Sequence, residues 1–155
     1  MTFQFFSLSD QRFSVFFGKD DLSLSALGVL TRVVDKKPGF PCRVSLQDAD
    51  IGERVYLLNF EHLPDRSPFR ATHAIYVREG AKQVHVPPDV VPAFLLSRTL
   101  SLRAFDAKAL MVNAQVSSGA DLEKNIQAML ADPQVERIHV HAAGPGCYLA
   151  EVRRA

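Results

Sequence analysis

The densest group of side chains that could do chemistry lies in the C-terminal stretch VERIHVHAAGPGCYLAEVRR, residues 135–154. His139 and His141 stand two positions apart, so on a strand both rings point to one face, an arrangement that metal sites use. Cys147 follows a Gly-Pro-Gly turn. No CxxC or HExxH spacing accompanies the pair, so a metal site would need further ligands, for which Cys147 and His73 are the candidates.

The residues around this pair argue against a metal ion. Arg137 shares the face of the two histidines and would repel a cation, while Ile138 and Val140 take the opposite face. We therefore predict that the apolar face packs on the core and that the histidines lie on the polar side of the strand. The sequence predicts no metal site and no cofactor, and His139 with His141 is kept as the weaker alternative.

The chain has two thiols, Cys42 and Cys147. Arg43 follows Cys42, and a neighbouring cation favours the reactive thiolate form of a cysteine. Adjacent strand residues point to opposite faces, however, so the guanidinium need not contact the sulfur. The favoured interpretation of both thiols is burial as small apolar side chains. Spacing alone leaves a disulfide between them open.

Two further polar side chains fall within strand-like segments. His73 alternates with Ile75 and Val77 and is predicted to point inward, where a histidine is either a hydrogen-bonded core residue or a general base. Arg103 shares a strand face with Phe105. A buried arginine must pair with a carboxylate or bind an anion, because an unpaired buried charge is too costly.

Together these side chains make the predicted ligand site, which consists of Arg43, Arg103, His73, Cys42 and Cys147. Arg43 and Arg103 are the predicted contacts of a small anionic ligand, since a guanidinium matches planar anionic groups. The alternative is an internal salt bridge from each arginine to a carboxylate such as Asp48 or Glu79. No catalytic residue is identified.

Both strands and helices must position these residues. Residues 55–60 carry the strongest strand pattern, and residues 135–154 read as a hairpin. Apolar residues at helical spacing predict a helix over residues 121–131. Because strands come in runs joined by short turns, we predict the α+β class, with a mostly antiparallel sheet of about eight short strands and two or three helices. Residues 1–155 are predicted to form one domain.

Composition limits the partners. The chain has 18 basic and 17 acidic side chains and a net charge of +1, without a concentrated basic patch, which argues against nucleic-acid binding. No apolar run approaches the roughly 20 residues that span a bilayer, so no membrane partner is predicted. The phenylalanine-rich N-terminus lacks the basic segment of a signal peptide, and two cysteines are few for a secreted scaffold. Cytoplasmic location is the resulting expectation.

Four blocks of the chain carry a resemblance to a known family: PGFPCRVSLQDADIGERVYLL, HAIYVREG, SLRAFD and VERIHVHAAGPGCYLAEVRR. They resemble the bacterial proteins grouped as domain of unknown function 1203. The most specific parts are Pro41-Cys42-Arg43 and Gly146-Cys147-Tyr148. The resemblance implies a bacterial, soluble, single-domain protein, and it directs attention to Cys42, Arg43, Arg103, Asp106 and Cys147. It implies no activity, substrate or catalytic residue.

Two classes of function follow from these observations. The first is a small-molecule-binding or enzymatic domain that takes an anionic ligand at the predicted site. The second is a non-catalytic interaction module that binds a partner, or a second copy of the chain as a homo-oligomer, through a sheet edge or the N-terminus. The two differ in geometry: only the first requires the candidate side chains to converge.

Overall fold

Alternating apolar residues and short turns build most of the molecule from strands. A computed structural model describes residues 2–155. Its strands and helices are β1 (Phe3–Phe6), α1 (Asp21–Ala26), β2 (Leu30–Val33), β3 (Pro41–Cys42), β4 (Gln47–Asp48), β5 (Arg54–Leu63), β6 (Ala71–Arg78), β7 (Thr99–Phe105), β8 (Met111–Ser118), α2 (Leu122–Leu130), β9 (Arg137–Ala142) and β10 (Tyr148–Arg154). Short 3₁₀ turns lie at Asp10–Arg12, Ser14–Phe16 and Ala93–Leu95.

The strands form two five-stranded sheets. The first has the order β1-β10-β9-β7-β8 and is antiparallel throughout. The second has the order β2-β5-β6-β3-β4 and contains one parallel pairing, between β3 and β6. The predicted α+β class with mostly antiparallel strands is therefore confirmed. The predicted count of about eight strands in one sheet is wrong, because the ten strands of residues 2–155 divide between two sheets whose long-range pairings local alternation does not reveal.

The first sheet has two different faces. One face packs its apolar residues against Leu122, Ile126, Met129 and Leu130 of α2, which form a single stripe at helical spacing. The other face carries polar residues of β7 and β9 and is turned toward β5 and β6 of the second sheet. This second face holds the candidate functional site. None of the helices in residues 2–155 is both long and apolar enough to cross a membrane.

Close backbone packing at Gly119 fixes the start of α2 against the 3₁₀ turn Ala93–Leu95. A Cβ placed on Gly119 would lie 2.2 Å from the carbonyl oxygen of Leu96. Gly119→Ala is therefore expected to lower the free energy of unfolding by about 3 kcal/mol, at the upper end of overpacking costs, because backbone atoms must move. Urea denaturation measures it. The matched control is Gly144→Ala, whose Cβ meets nothing within 4 Å; equal losses in the two variants would refute this packing argument.

Candidate functional site

Four of the five histidines of the chain meet between the two sheets. The second sheet supplies His62 of β5 and His73 of β6, and the first sheet supplies His139 and His141 of β9. Ring centroids of neighbouring members lie 4.8–5.4 Å apart for the pairs His62–His73, His62–His139, His62–His141 and His73–His141. We call these four residues the histidine cluster.

Strand register explains which other residues share this face. In the antiparallel pairing of β7 with β9, Arg103 lies opposite His139 and Ser101 lies opposite His141. Across the pairing of β10 with β9, Tyr148 lies opposite His141 and Glu151 opposite His139. Simple alternation would put Tyr148 and Glu151 on opposite faces. A bulge between Tyr148 and Ala150 shifts the register by one residue and turns both side chains toward the histidines.

The histidines of β9 are buried, with His139 1% and His141 0% exposed. The sequence correctly put them on one face, but the prediction that this face is the polar, outward one is wrong. The second sheet covers it, so β9 is buried on both sides. Arg137, on the same face, forms a 2.8 Å ion pair with Asp65. Its charge is thereby neutralised, which weakens the repulsion expected from it.

A chain of hydrogen bonds links three of the histidines to a carboxylate. His62 Nε2 lies 2.7 Å from His73 Nδ1, His62 Nδ1 lies 3.3 Å from His139 Nδ1, and His139 Nε2 lies 3.2 Å from Glu151 Oε2. Although burial alone raises the pKa of Glu151, hydrogen bonds from His139 and Arg153 outweigh it and lower that pKa. Glu151 is thus a carboxylate and accepts from His139 Nε2–H.

The protonated nitrogen of each ring follows from that starting point. With a neutral ring that donates through Nε2, His139 accepts at Nδ1 from His62 Nδ1–H, and His62 Nε2 accepts from His73 Nδ1–H. His141 stands outside this chain. Its Nδ1–H donates to the carbonyl oxygen of Gly146 at 2.8 Å, so its Nε2 keeps a free lone pair. That Nε2 is buried and has no hydrogen-bond partner in residues 2–155.

The surroundings of His62, His73 and His141 favour the neutral form of these three rings. Burial, followed by the charges of His139, His73 and Arg103, lowers the pKa of His62 to about 3. Burial, opposed by the Gly146 carbonyl and aided by Arg103, lowers the pKa of His141 to about 2. The pKa of His73 is lowered by burial and then by Arg103. Neutral imidazoles are the form that binds metal ions.

One ring nitrogen from each of His62, His73 and His141 lies within 4.8 Å of the other two. No other group of three or more histidine, cysteine or carboxylate side chains in residues 2–155 is close enough to hold a metal ion. Arg103 lies opposite His139 on the neighbouring strand, and its Nε donates to Ser101 Oγ at 3.3 Å. Burial lowers the pKa of Arg103.

The predicted ligand-site residues divide into two groups. His73 and Arg103 belong with the histidine cluster, whereas Arg43 lies with Cys42 and Cys147. Arg43 is buried, and it donates to the carbonyl oxygens of Tyr148 at 2.8 Å and Pro41 at 2.5 Å. Burial lowers the pKa of Arg43 to about 10. The two cysteines are free thiols; Cys42 is buried, whereas Cys147, for which burial was also expected, is only partly buried.

The salt bridges that were the alternative for the two arginines do not form. Asp48 pairs with Arg98 at 2.6 Å, and Glu79 pairs with Arg54 at 3.4 Å. Among residues 2–155, no carboxylate lies within 4.0 Å of a side-chain nitrogen of Arg43 or Arg103. A ligand role for Arg43, Cys42 and Cys147 stays a prediction.

Two cavities accompany these groups. The larger, of about 650 Å³, is lined mainly by apolar residues and contains none of the four clustered histidines. Its charged residues Lys37 and Asp48 are already paired, with Asp50 and Arg98. The smaller, of about 250 Å³, is lined by His62, Tyr148 and Glu151 among others. We place the candidate site at the histidine cluster because ring nitrogens of His62, His73 and His141 converge there, and His141 Nε2 has no hydrogen-bond partner in residues 2–155.

A family model described as protein of unknown function (DUF1203) matches residues 39–154. All four clustered histidines and Arg103 lie inside the matched range. No curated protein and no solved structure matches the chain.

Proposed function

Because the chain belongs to the DUF1203 family, whose description names no activity, we propose a function from the site itself: it binds a transition-metal ion, preferentially zinc. His62, His73 and His141 are the proposed ligands, and the fourth position is left for a small molecule. Three histidines with one open position make the ligand set of catalytic zinc rather than of closed structural sites. An enzymatic or small-molecule-binding role, rather than a purely structural one, therefore fits the site best.

The observation that carries the proposal is the free lone pair of His141. A buried polar atom without a partner costs about 1–3 kcal/mol, so native proteins rarely leave one. The donation from His141 Nδ1 to the Gly146 carbonyl sets the ring with Nε2 facing the cluster. Metal-ligating histidines commonly donate their second nitrogen to a backbone carbonyl in this way. A metal ion would satisfy the Nε2 of His141.

The spacing of the rings supports the same conclusion. Ligand nitrogens of a tetrahedral zinc ion, bound at 2.0–2.1 Å, lie about 3.4 Å apart. His62 Nε2 and His73 Nδ1 are 2.7 Å apart and share a proton, so a metal ion between them requires a separation of roughly 0.7 Å more. The proton on His73 Nδ1 moves to Nε2 of the same ring, which leaves both facing nitrogens free to bind.

The surrounding residues favour a borderline metal and hold the ligands in place. Neutral imidazoles suit zinc, copper, nickel and iron, whereas calcium and magnesium prefer oxygen ligands. His62 donates its other nitrogen to His139, and His139 donates to Glu151. Such outer hydrogen bonds orient a ligand ring and raise its basicity.

Zinc titration of the metal-free protein tests the proposal. His141→Ala is expected to weaken zinc binding at least about 100-fold, because removing a ligand costs no less than removing its outer hydrogen bond. Competition with a chromophoric chelator measures the dissociation constant. His73→Ala provides a second variant at a partly exposed position, and His85→Ala is the matched control outside the cluster. Zinc binding that is equally tight in all four proteins, or that magnesium abolishes by competition, would rule the site out.

A second candidate function is association through a sheet edge. Strand β8 is the outer strand of the first sheet, and its Val116 is 69% exposed. An exposed edge can pair with a strand of a second copy or of another protein. We rank this function below metal binding, because it requires no convergence of the histidines and leaves the free nitrogen of His141 unexplained.

A further inference from the structure

Arg103 is a cation on the sheet face that holds the histidine cluster. Its position on β7 is directly opposite His139, and its Nε donates to the hydroxyl of Ser101, the residue opposite His141. A cation at this place weakens the binding of a bare metal ion by like-charge repulsion. Its presence therefore needs a reason that the metal alone does not supply.

The hydrogen bonds of Arg103 are largely unused within residues 2–155. A guanidinium has five N–H donors, and here only the Nε–H donates, to Ser101 Oγ. Arg137 and Arg153, on the same face, each pair with a carboxylate, at 2.8 Å to Asp65 and 2.5 Å to Glu151. The terminal nitrogens of the Arg103 guanidinium are thus free to donate. A carboxylate or phosphate binds such an edge through two parallel hydrogen bonds.

The net charge of the site with a metal ion bound also favours an anionic ligand. A divalent ion and Arg103 together bring three positive charges, and the three imidazoles are neutral. Glu151 is the carboxylate nearest in the hydrogen-bonded chain, but it already accepts from His139 and pairs with Arg153. Partly buried charge of this kind must be balanced, because uncompensated burial is costly. An anion at the open position of the metal would supply that balance.

Arg103 and His73 are the more exposed residues on this part of the face. His139 and His141 are fully buried, whereas His73 and Arg103 are both partly exposed. Solvent therefore reaches both of these side chains. Ser101, opposite His141, adds a hydroxyl beside the guanidinium.

We infer that the metal ion and Arg103 together bind a small oxyanion, a carboxylate or a phosphate group. One oxygen of the anion occupies the fourth position of the metal, and a second accepts from the terminal nitrogens of Arg103. The inference rests on the proposed metal site and adds the chemical class of its ligand. It also explains why an arginine is tolerated among metal-binding histidines.

Cobalt-loaded protein provides the test, since the visible spectrum of Co²⁺ changes when an anion enters its coordination shell. Inorganic phosphate and acetate are titrated separately. Both are expected to change the spectrum saturably. If phosphate binds at least about tenfold more tightly than acetate, the physiological group is phosphate, because its larger charge gains more from Arg103; similar affinities point to a carboxylate.

Arg103→Gln separates this inference from the metal site. Losing a charged hydrogen-bonding pair is expected to weaken anion binding roughly 10- to 100-fold, while cobalt affinity stays the same or rises. Arg137→Gln is the matched control, because that arginine shares the sheet face but is paired with Asp65. If cobalt binds and neither anion changes its spectrum, or Arg103→Gln leaves the anion affinity unchanged, this inference is wrong and the metal site stands. If cobalt does not bind, both are wrong.

Discussion

Zinc at a free concentration about 1,000-fold above its dissociation constant is expected to stabilise the metal-free protein against unfolding by about 4 kcal/mol. The physical reason is that the proposed ligands come from both sheets: His62 and His73 from one, His141 from the other. The unfolded chain has no preformed site, so the binding energy stabilises the folded state. For a chain of this length the melting temperature should rise by roughly 8 to 16 °C.

Differential scanning calorimetry with and without zinc measures this effect, after metal has been removed with a chelator. His141→Ala should lose most of the stabilisation, whereas His85→Ala, outside the cluster, should keep it. Zinc can also bind cysteines and histidines of the unfolded chain, which reduces the gain. A melting temperature that zinc leaves unchanged or lowers, in a protein that is folded without it, would contradict the proposed site between the sheets.

Local features of the fold were predictable from the sequence. The helix predicted over residues 121–131 is α2 (Leu122–Leu130), and the strongest strand pattern, residues 55–60, lies within β5 (Arg54–Leu63). Both rest on apolar periodicity over neighbouring residues, which burial on one side directly imposes. The hairpin of β9 and β10 was equally readable from its turn residues.

The division into two sheets was not predictable, because it depends on pairings between distant segments. Strand β1 pairs with β10 across nearly the whole chain, and β3 joins β6 in parallel. Alternation identifies a strand but not its neighbour. The same limit explains the wrong prediction about β9, whose polar face is covered by a sheet that the local pattern does not reveal.

For related reasons, the sequence predicted some residues of the candidate site and missed others. That His139 and His141 share a face follows from a period of two, and an inward orientation of His73 follows from its apolar neighbours. His62 gave no such signal, because it lies beyond the apolar run of β5 and next to Glu61. Glu151 was missed because the bulge in β10 reverses the alternation that would have turned it away. A bulge of this kind has no reliable signal in one sequence.

Acidification from pH 7 to pH 5 is expected to lower the free energy of unfolding of the metal-free protein by about 2 kcal/mol through His141 alone. Burial lowers the pKa of this histidine to about 2, so the folded state leaves it neutral at both pH values. In the unfolded chain the same ring has an ordinary pKa near 6.5 and takes up a proton. Because the unfolded state binds more protons, stability falls as the pH falls below 6.5.

His62 acts in the same direction with a smaller share, since its ring is only partly buried and solvent screens its charge. Urea denaturation at several pH values between 5 and 7, in the presence of a chelator, measures the slope. His141→Gln removes the titrating ring. The slope of the unfolding free energy against pH should therefore fall by the contribution of one proton, roughly 1.4 kcal/mol per pH unit where the slope is steepest. His85→Gln should leave the contribution of His141 in place.

The range from pH 5 to pH 7 separates the titration of the histidines from that of the carboxylates. The lowered pKa of Glu151 means that its stabilising contribution is complete above its unfolded pKa and is lost only as the pH falls below about 4.5. The pKa values of Asp10, Asp20, Asp21 and Asp50 are also lowered, so their contributions are lost only as the pH falls below the unfolded value of about 3.8. Stability that is flat between pH 5 and pH 7 would therefore mean that His141 is protonated in the folded protein. Its Nε2 would then be a donor with no lone pair, and the metal site proposed here would lose its central ligand.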